Sequence, residues 1–293
     1  MTGDERMRKI RLTLLIISLF ILSVGLGAES RFSFKISGGL HYGLYGDINN
    51  GTRGYLDYWK GLAWYYDGSY QSRMQPLHFG SILTVDLLYQ INDYYSFGLG
   101  LGYQRASKTK TVSIKWWPDE PPQIARASSD ITSFPVRLSL INHLPVNGSL
   151  RFFFVAGVDV NFTQVCLGYV PAEADYTYHQ KAHSIGLGLR YGPGIELKVG
   201  ANVDLVVEGQ GYYARIKGFR GTLTAGGDYT PYEERGTLYY FEWTSDSIPE
   251  YPISYPLVMI QATEPADDYY SNVRKARVDL SGFTIVVGIK VHL

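Results

Sequence analysis

The chain has 293 residues, no formal net charge and a 45% hydrophobic content, which excludes a basic nucleic-acid binder and an acidic, disordered solvating segment. Its single cysteine, Cys166, excludes an intrachain disulfide framework and cysteine-rich zinc sites. Tyrosine (25 residues) and glycine (32 residues) are abundant, which favours pleated, closely approaching strands.

The N-terminus carries Arg6, Arg8, Lys9 and Arg11, then an uncharged apolar run from Leu12 to Val24 and the small residues of Leu26-Gly27-Ala28. The run is shorter than the ~20 residues a membrane-spanning helix needs, so residues 1–28 are expected to be a cleavable secretory signal peptide. No further helical span follows, and residues 29–293 are expected to form one domain.

From there the sequence alternates with period 2, over runs longer than ordinary strands. In the first segment Phe32, Phe34, Ile36, Leu40, Tyr42 and Leu44 oppose Ser33, Lys35, Ser37, Gly39 and His41. The second runs from Phe79 to Gln90. In the third, Phe97, Leu99, Leu101 and Tyr103 alternate with Gly98, Gly100, Gly102 and Gln104. Segments at Ile131–Ile141 and Leu150–Phe162 follow. A sixth starts at Ile185, and a turn placed at Lys198–Asn202 makes Pro193 a bulge or a tolerated break within it. The seventh holds Val203, Leu205 and Val207, and the last runs from Gly282 to Leu293.

The result is an eight-stranded antiparallel up-and-down transmembrane β-barrel, with ten strands as the alternative if the last long link re-enters the bilayer. Links at Ile91–Tyr95, Ile141–Gly148 and Lys198–Asn202 are short. Those at Gly46–Leu77, Ala106–Ser129, Gln164–Ala182 and Lys217–Arg274 are long and read as extracellular loops, an alternation typical of outer-membrane barrels. Leu238–Thr244 and Leu257–Thr263 suit an added hairpin.

Three features favour a membrane over a soluble barrel. The polar face is rich in Gly and Ser. Aromatic residues near the strand ends (Phe32, Tyr42, Tyr89, Tyr94, Tyr95, Tyr103, Phe162, Tyr212 and Tyr213) suggest interfacial girdles. The charges on the polar face also balance, with Lys35, Arg137, Arg151, Arg190 and Lys290 set against Asp86, Asp159, Glu196, Asp204 and Glu208. An unpaired charge in a confined bore is costly, so these ten are expected to form a lumenal ion-pair network. A sharper version is a gate in which Glu208 and Arg190 exchange partners.

Leu99-Gly100-Leu101-Gly102-Tyr103, Gly192-Pro193-Gly194-Ile195-Glu196-Leu197 and the terminal Gly288-Ile289-Lys290-Val291-His292-Leu293 give the chain a resemblance to the small bacterial outer-membrane β-barrels of the OmpA transmembrane domain, OmpX and OmpW type. That resemblance implies location in the outer membrane, contact with membrane lipid and lipopolysaccharide, and insertion through the C-terminal strand. Such families usually end in Phe, whereas this sequence ends in Leu293.

No catalytic set, metal site or cofactor site emerges. His183-Ser184 are neighbours that face opposite sides of a strand, and His179 and His183 share a face only on a helix. Asp267 and Asp268 have no histidine near in sequence. The expectation is therefore a monomeric, non-enzymatic protein with a structural or surface-interaction role. A narrow pore is the alternative and a lipid-modifying enzyme the second. Trp64, Trp116, Trp117 and Trp243, in the long links, are candidate loop contacts.

Overall fold

A computed structural model describes residues 31–145, 149–172, 176–227, 231–244 and 253–293. The expected signal peptide lies outside the described residues.

The strands are β1 (Phe32–Gly43), β2 (Ser69–Arg73), β3 (Phe79–Gln90), β4 (Tyr95–Lys115), β5 (Gln123–Pro145), β6 (Leu150–Val170), β7 (Tyr176–Lys198), β8 (Val203–Lys217), β9 (Arg220–Gly227), β10 (Tyr232–Thr244), β11 (Ser254–Gln261), β12 (Tyr270–Lys275), β13 (Arg277–Asp279) and β14 (Gly282–His292). One helix, α1 (Gly46–Tyr65), follows β1. The strands belong to a 14-stranded antiparallel sheet. Within it β1 pairs with β3, and the pairing continues through β4, β5, β6, β7 and β8 to β14, which pairs back to β1. These eight strands, the eight expected from alternation, therefore form a barrel-like ring.

Pro193 is not a bulge. Tyr191 pairs with Gly211 and Gly194 with Glu208, so the β7–β8 register is the same on both sides of it. The ring loses only the bond that a proline cannot donate, and the turn follows Lys198.

The long links differ most from expectation. Most of Ala106–Ser129 is strand, because β4 and β5 stay paired from Ala106–Ile131 to Ile114–Gln123. Likewise β6 and β7 stay paired through Val165–Ala182 to Tyr169–Tyr178. In this outer half the sheet divides. β7 pairs with β8 from Gly188 onward, but with β9 over Tyr176–His183. The outer end of β8 takes β13 instead. The described residues of the segment 218–274, namely 218–227, 231–244 and 253–274, therefore form a folded extension in which β10 pairs with β9, β11 and β12. Its β10–β11 pairing is the added hairpin, and its apolar residues Leu238, Phe241, Val258 and Ile260 are buried inside the protein.

The first long link is mainly α1, which packs against β4, β5, β11 and β13. Ile48, Leu56, Trp59, Leu62 and Ala63 bury one face of it. Gly51 and Gly54, three apart on that face, let β11 approach closely: a Cβ on Gly54 would lie 1.9 Å from the Pro256 carbonyl oxygen. The glycines lower intrinsic helix propensity, and tertiary burial compensates.

Candidate functional site

Each long strand reverses its polarity part-way along. In β4 the outward residues run Phe97, Leu99, Leu101, Tyr103 and then Arg105, Ser107, Thr109, Thr111. The inward residues run Ser96, Gly98, Gly100, Gly102, Gln104 and then Ala106, Lys110, Val112, Ile114. β5 changes in the same way. Phe134, Val136, Leu138 and Leu140 face out over inward Ser133, Arg137 and Ser139, whereas outward Arg126 and Asp130 lie over inward Ala125 and Ala127. One end of the ring is apolar outside and polar inside; the other end is the opposite.

The polar interior contains nine of the ten expected charges: eight form ion pairs among themselves, and Asp204 lies against His292. Lys35 bridges Asp86 at 3.3 Å and also pairs with Glu208. Arg137 lies 3.8 Å from Asp86 and donates to Gln210 at 3.3 Å. Arg190 pairs with Asp159 at 3.0 Å, and Lys290 with Glu196 at 3.0 Å. His292 contacts Asp204 at 2.7 Å, and His143 lies 3.7 Å from Glu196. The tenth, Arg151, makes no ion pair among the described residues; its strand end is at the rim, where it is exposed. Arg190 and Glu208 have separate partners. Tyr212, expected in a girdle, points inward and donates to Asn161 at 2.9 Å.

An apolar collar divides this network. Leu88, Ile141, Phe153, Val155 and Val206 form one buried cluster. On β8 Val206 lies between Asp204 and Glu208, on β6 Phe153 and Val155 lie between Arg151 and Asp159, and on β5 Ile141 lies between Arg137 and His143. Gly194 makes room for the cluster, since a Cβ there would meet the Phe153 ring at 2.1 Å. Above the collar, the space among His41, Arg137, Asp159, Arg190, Gln210 and Tyr212 is a void of about 10 Å³, the size of one water.

Beyond the polar layers α1 packs into a second, larger apolar cluster. It includes Tyr45, Ile48, Leu56, Val112, Ile114, Ala125, Leu167, Ile216 and Val258. Within it Lys110 is buried without a carboxylate. Its ammonium donates to Thr52 Oγ1 at 2.9 Å, the Asn49 carbonyl at 3.2 Å and Asn49 Oδ1 at 3.4 Å. Burial, helped by the charge of Arg53, lowers its pKa to about 8. Asp47, in the first turn of α1, binds the Arg274 guanidinium, with one contact at 2.8 Å, and accepts the Arg277 N–H at 2.9 Å.

Trp64 and Trp117 are exposed at the far end of the fold. Trp116 is half-buried and donates to Gln123 at 3.1 Å, and the Trp243 ring packs 4.9 Å from Tyr58. Ser184 donates to the Lys217 carbonyl at 2.6 Å, while His183 faces outward. Cys166 sits half-buried on the outer wall, and burial raises its thiol pKa, which disfavours the thiolate. No three His, Cys, Asp or Glu side chains converge on a metal-sized site among the described residues.

No family model and no curated protein matches the chain. Among solved structures it is similar to Neisserial surface protein A, at 13% identity and a TM-score of 0.33, over 91% of this chain and 100% of that one. It is also similar to the outer membrane protein OprG from Pseudomonas aeruginosa, at 12% identity and a TM-score of 0.35, over 90% of this chain and 97% of that one. At these values the likeness carries no weight beside the chain's own strand pairing.

Proposed function

We propose that the protein is an integral outer-membrane β-barrel with a shut bore, whose membrane-spanning half supports a rigid folded surface outside the lipid. The reading rests on the polarity reversal within single strands. An apolar outer belt over a charged interior suits hydrocarbon, and a polar outer wall over an apolar interior suits water. On β7 the belt runs from Ile185 to Leu197. At ~3.3 Å per residue and ~40° tilt it is about 30 Å tall, close to the ~25 Å apolar band of such barrels. Leu187, Tyr191 and Leu40 are each about two-thirds exposed, at 69%, 66% and 65%. A water-soluble monomer rarely carries a continuous belt of this kind. No described helix is long and apolar enough to cross a membrane.

The collar, the ion pairs and the α1 plug lie in series along the bore, which favours a structural or surface-presenting role over a pore. The test compares two positions on the outward row of β7. In phosphatidylcholine vesicles, Tyr191→Arg, at the middle of the belt, is expected to cost about 2–4 kcal/mol in unfolding free energy. Lys181→Gln, beyond the belt, is expected to change it by less than ~0.5 kcal/mol. Equal effects at the two positions, or a monodisperse protein in detergent-free buffer, would overturn the membrane reading. Steady conductance in planar bilayers would overturn the shut bore.

A further inference from the structure

Lys217, Arg274, Lys275 and Arg277 line one open pocket where β8, β12 and β13 meet. The strand register sets Arg277 directly opposite Lys217. Like charges facing each other across a strand pair are destabilising. The neighbouring pair has the ordinary solution: Asp279 opposes Arg215 and bridges it at 3.3 Å. Arg274 is neutralised by Asp47. Lys217, Lys275 and Arg277 have no carboxylate within 4.0 Å among the described residues, and Arg277 Nε is buried without an acceptor.

The pocket sits at a defined height. Along the outer face of β8 the row is Leu205, Val207, Gly209, Gly211, Tyr213, Arg215, Lys217, and Arg215 stacks over Tyr213 at 5.2 Å. Lys217 is four residues beyond the last apolar ring, about 10 Å above it for a tilted strand. The turn at Gly218, with φ at +74°, leads straight to the exposed Arg220 on β9. Cations thus continue sideways just above the belt, at the depth of lipid headgroups.

We infer that Lys217, Lys275 and Arg277 form a binding site for the phosphomonoester groups of an anionic lipid headgroup, an inference that rests on the membrane reading above. Arg277 supplies a planar fork suited to a tetrahedral oxyanion, and the two lysines supply point charges. Arg274 is a positioning residue, because its bond to Asp47 ties the β12–β13 corner to the start of α1. A phosphomonoester is favoured over a phosphodiester because its second negative charge meets a surplus of three cations.

The test uses the full chain in phosphatidylcholine nanodiscs. Each disc contains diphosphoryl lipid A, the same lipid stripped of its phosphates, or neither, and bound lipid is counted by native mass spectrometry. Retention of the phosphorylated lipid alone is expected. Lys217→Gln and Lys275→Gln, both exposed and safe for folding, should each weaken retention about fivefold, and Arg277→Gln by at least as much. Arg105→Gln, on the opposite wall, should leave it unchanged. Equal retention of the dephosphorylated lipid, or full retention by the triple variant, would overturn the site. Thermal stabilisation by inorganic phosphate with no retention of the lipid would overturn the lipid source. Failure to float with vesicles of phosphatidylcholine alone would instead sink the membrane reading, and the lipid source with it.

Discussion

Replacing Gly54 with alanine sets helix propensity against packing, and the two predict opposite signs. Gly54 lies within α1 at an ordinary helical position, so propensity alone makes the substitution stabilising by about 1 kcal/mol. The packing says otherwise. The new Cβ would sit 1.9 Å from the Pro256 carbonyl oxygen and 2.7 Å from two carbons of its ring. Ordinary contact begins at 3.4 Å, so helix and strand must part by roughly 1.5 Å. Neither yields easily, because β11 is paired along its whole length with β10 and the opposite side of α1 meets β4 and β5. Overpacking against a fixed backbone costs about 3 kcal/mol, at the upper end of its usual range. The net is a loss of about 2 kcal/mol, confined to the plug. Amide hydrogen exchange of the vesicle-inserted protein reads it directly: exchange in α1 and β11 should quicken about 30-fold while the ring's inner layers stay protected. Slower exchange in α1 would mean that propensity wins, and would refute the seating of the helix against β11.

Two further outcomes separate the layers of the bore. Lys290→Met leaves the buried Glu196 with only His143 near it and should cost about 3–5 kcal/mol in urea unfolding. Adding Glu196→Gln should recover part of that loss, and neither variant should conduct, because collar and plug remain. Lys110 makes the plug pH-dependent. Its pKa is lowered to about 8 in the folded state, from near 10.5, so the unfolded chain binds the extra proton between those values. Plug stability should therefore rise as pH rises from about 8 to 10.5 and be flat below; a Lys110→Met variant that kept this slope in α1 exchange would refute the assignment.

The eight-strand ring and its charged interior are legible in the sequence because both follow from period-2 alternation with one apolar phase. The outer half is legible only if the phase is followed past its inversion. In β4 the alternation continues beyond Tyr103, but Arg105, Ser107 and Thr109 take over the phase of Leu99 and Leu101, while Val112 and Ile114 take that of the glycines. A reading tied to one apolar phase ends the strand there and turns the remainder into a loop. The helix is hidden for a different reason. Its glycines, asparagines and early acid are turn-like by composition, and their function is to admit β11 and Arg274, which lie about 200 residues away in the chain. The apolar cluster of Leu88, Ile141, Phe153, Val155 and Val206 is not legible in sequence, because its members come from four strands and each alone looks like an irregularity in a polar face. His143 and His292 lie against the carboxylates Glu196 and Asp204 from positions where an apolar side chain would satisfy the pattern equally well.

The series arrangement also decides what the ion pairs do. If Arg190 and Glu208 traded partners, charge would move only within the middle layer. An ion leaving that layer on one side would meet the Phe153–Val206 collar, and on the other the Ile48–Val258 packing around α1. Both are packed apolar clusters, and under the shut-bore reading they would block conduction by excluding water. A gate in the ion pairs would thus open onto two closed doors. Substitutions that rearrange Lys35, Asp86, Arg137, Arg190 or Glu208 should therefore change stability without producing conductance. Only the combination of a shortened collar, such as Phe153→Ala, with removal of α1 would connect the two sides. Under the proposed membrane reading, the ion pairs are the interior a charged wall needs once lipid occupies its outside.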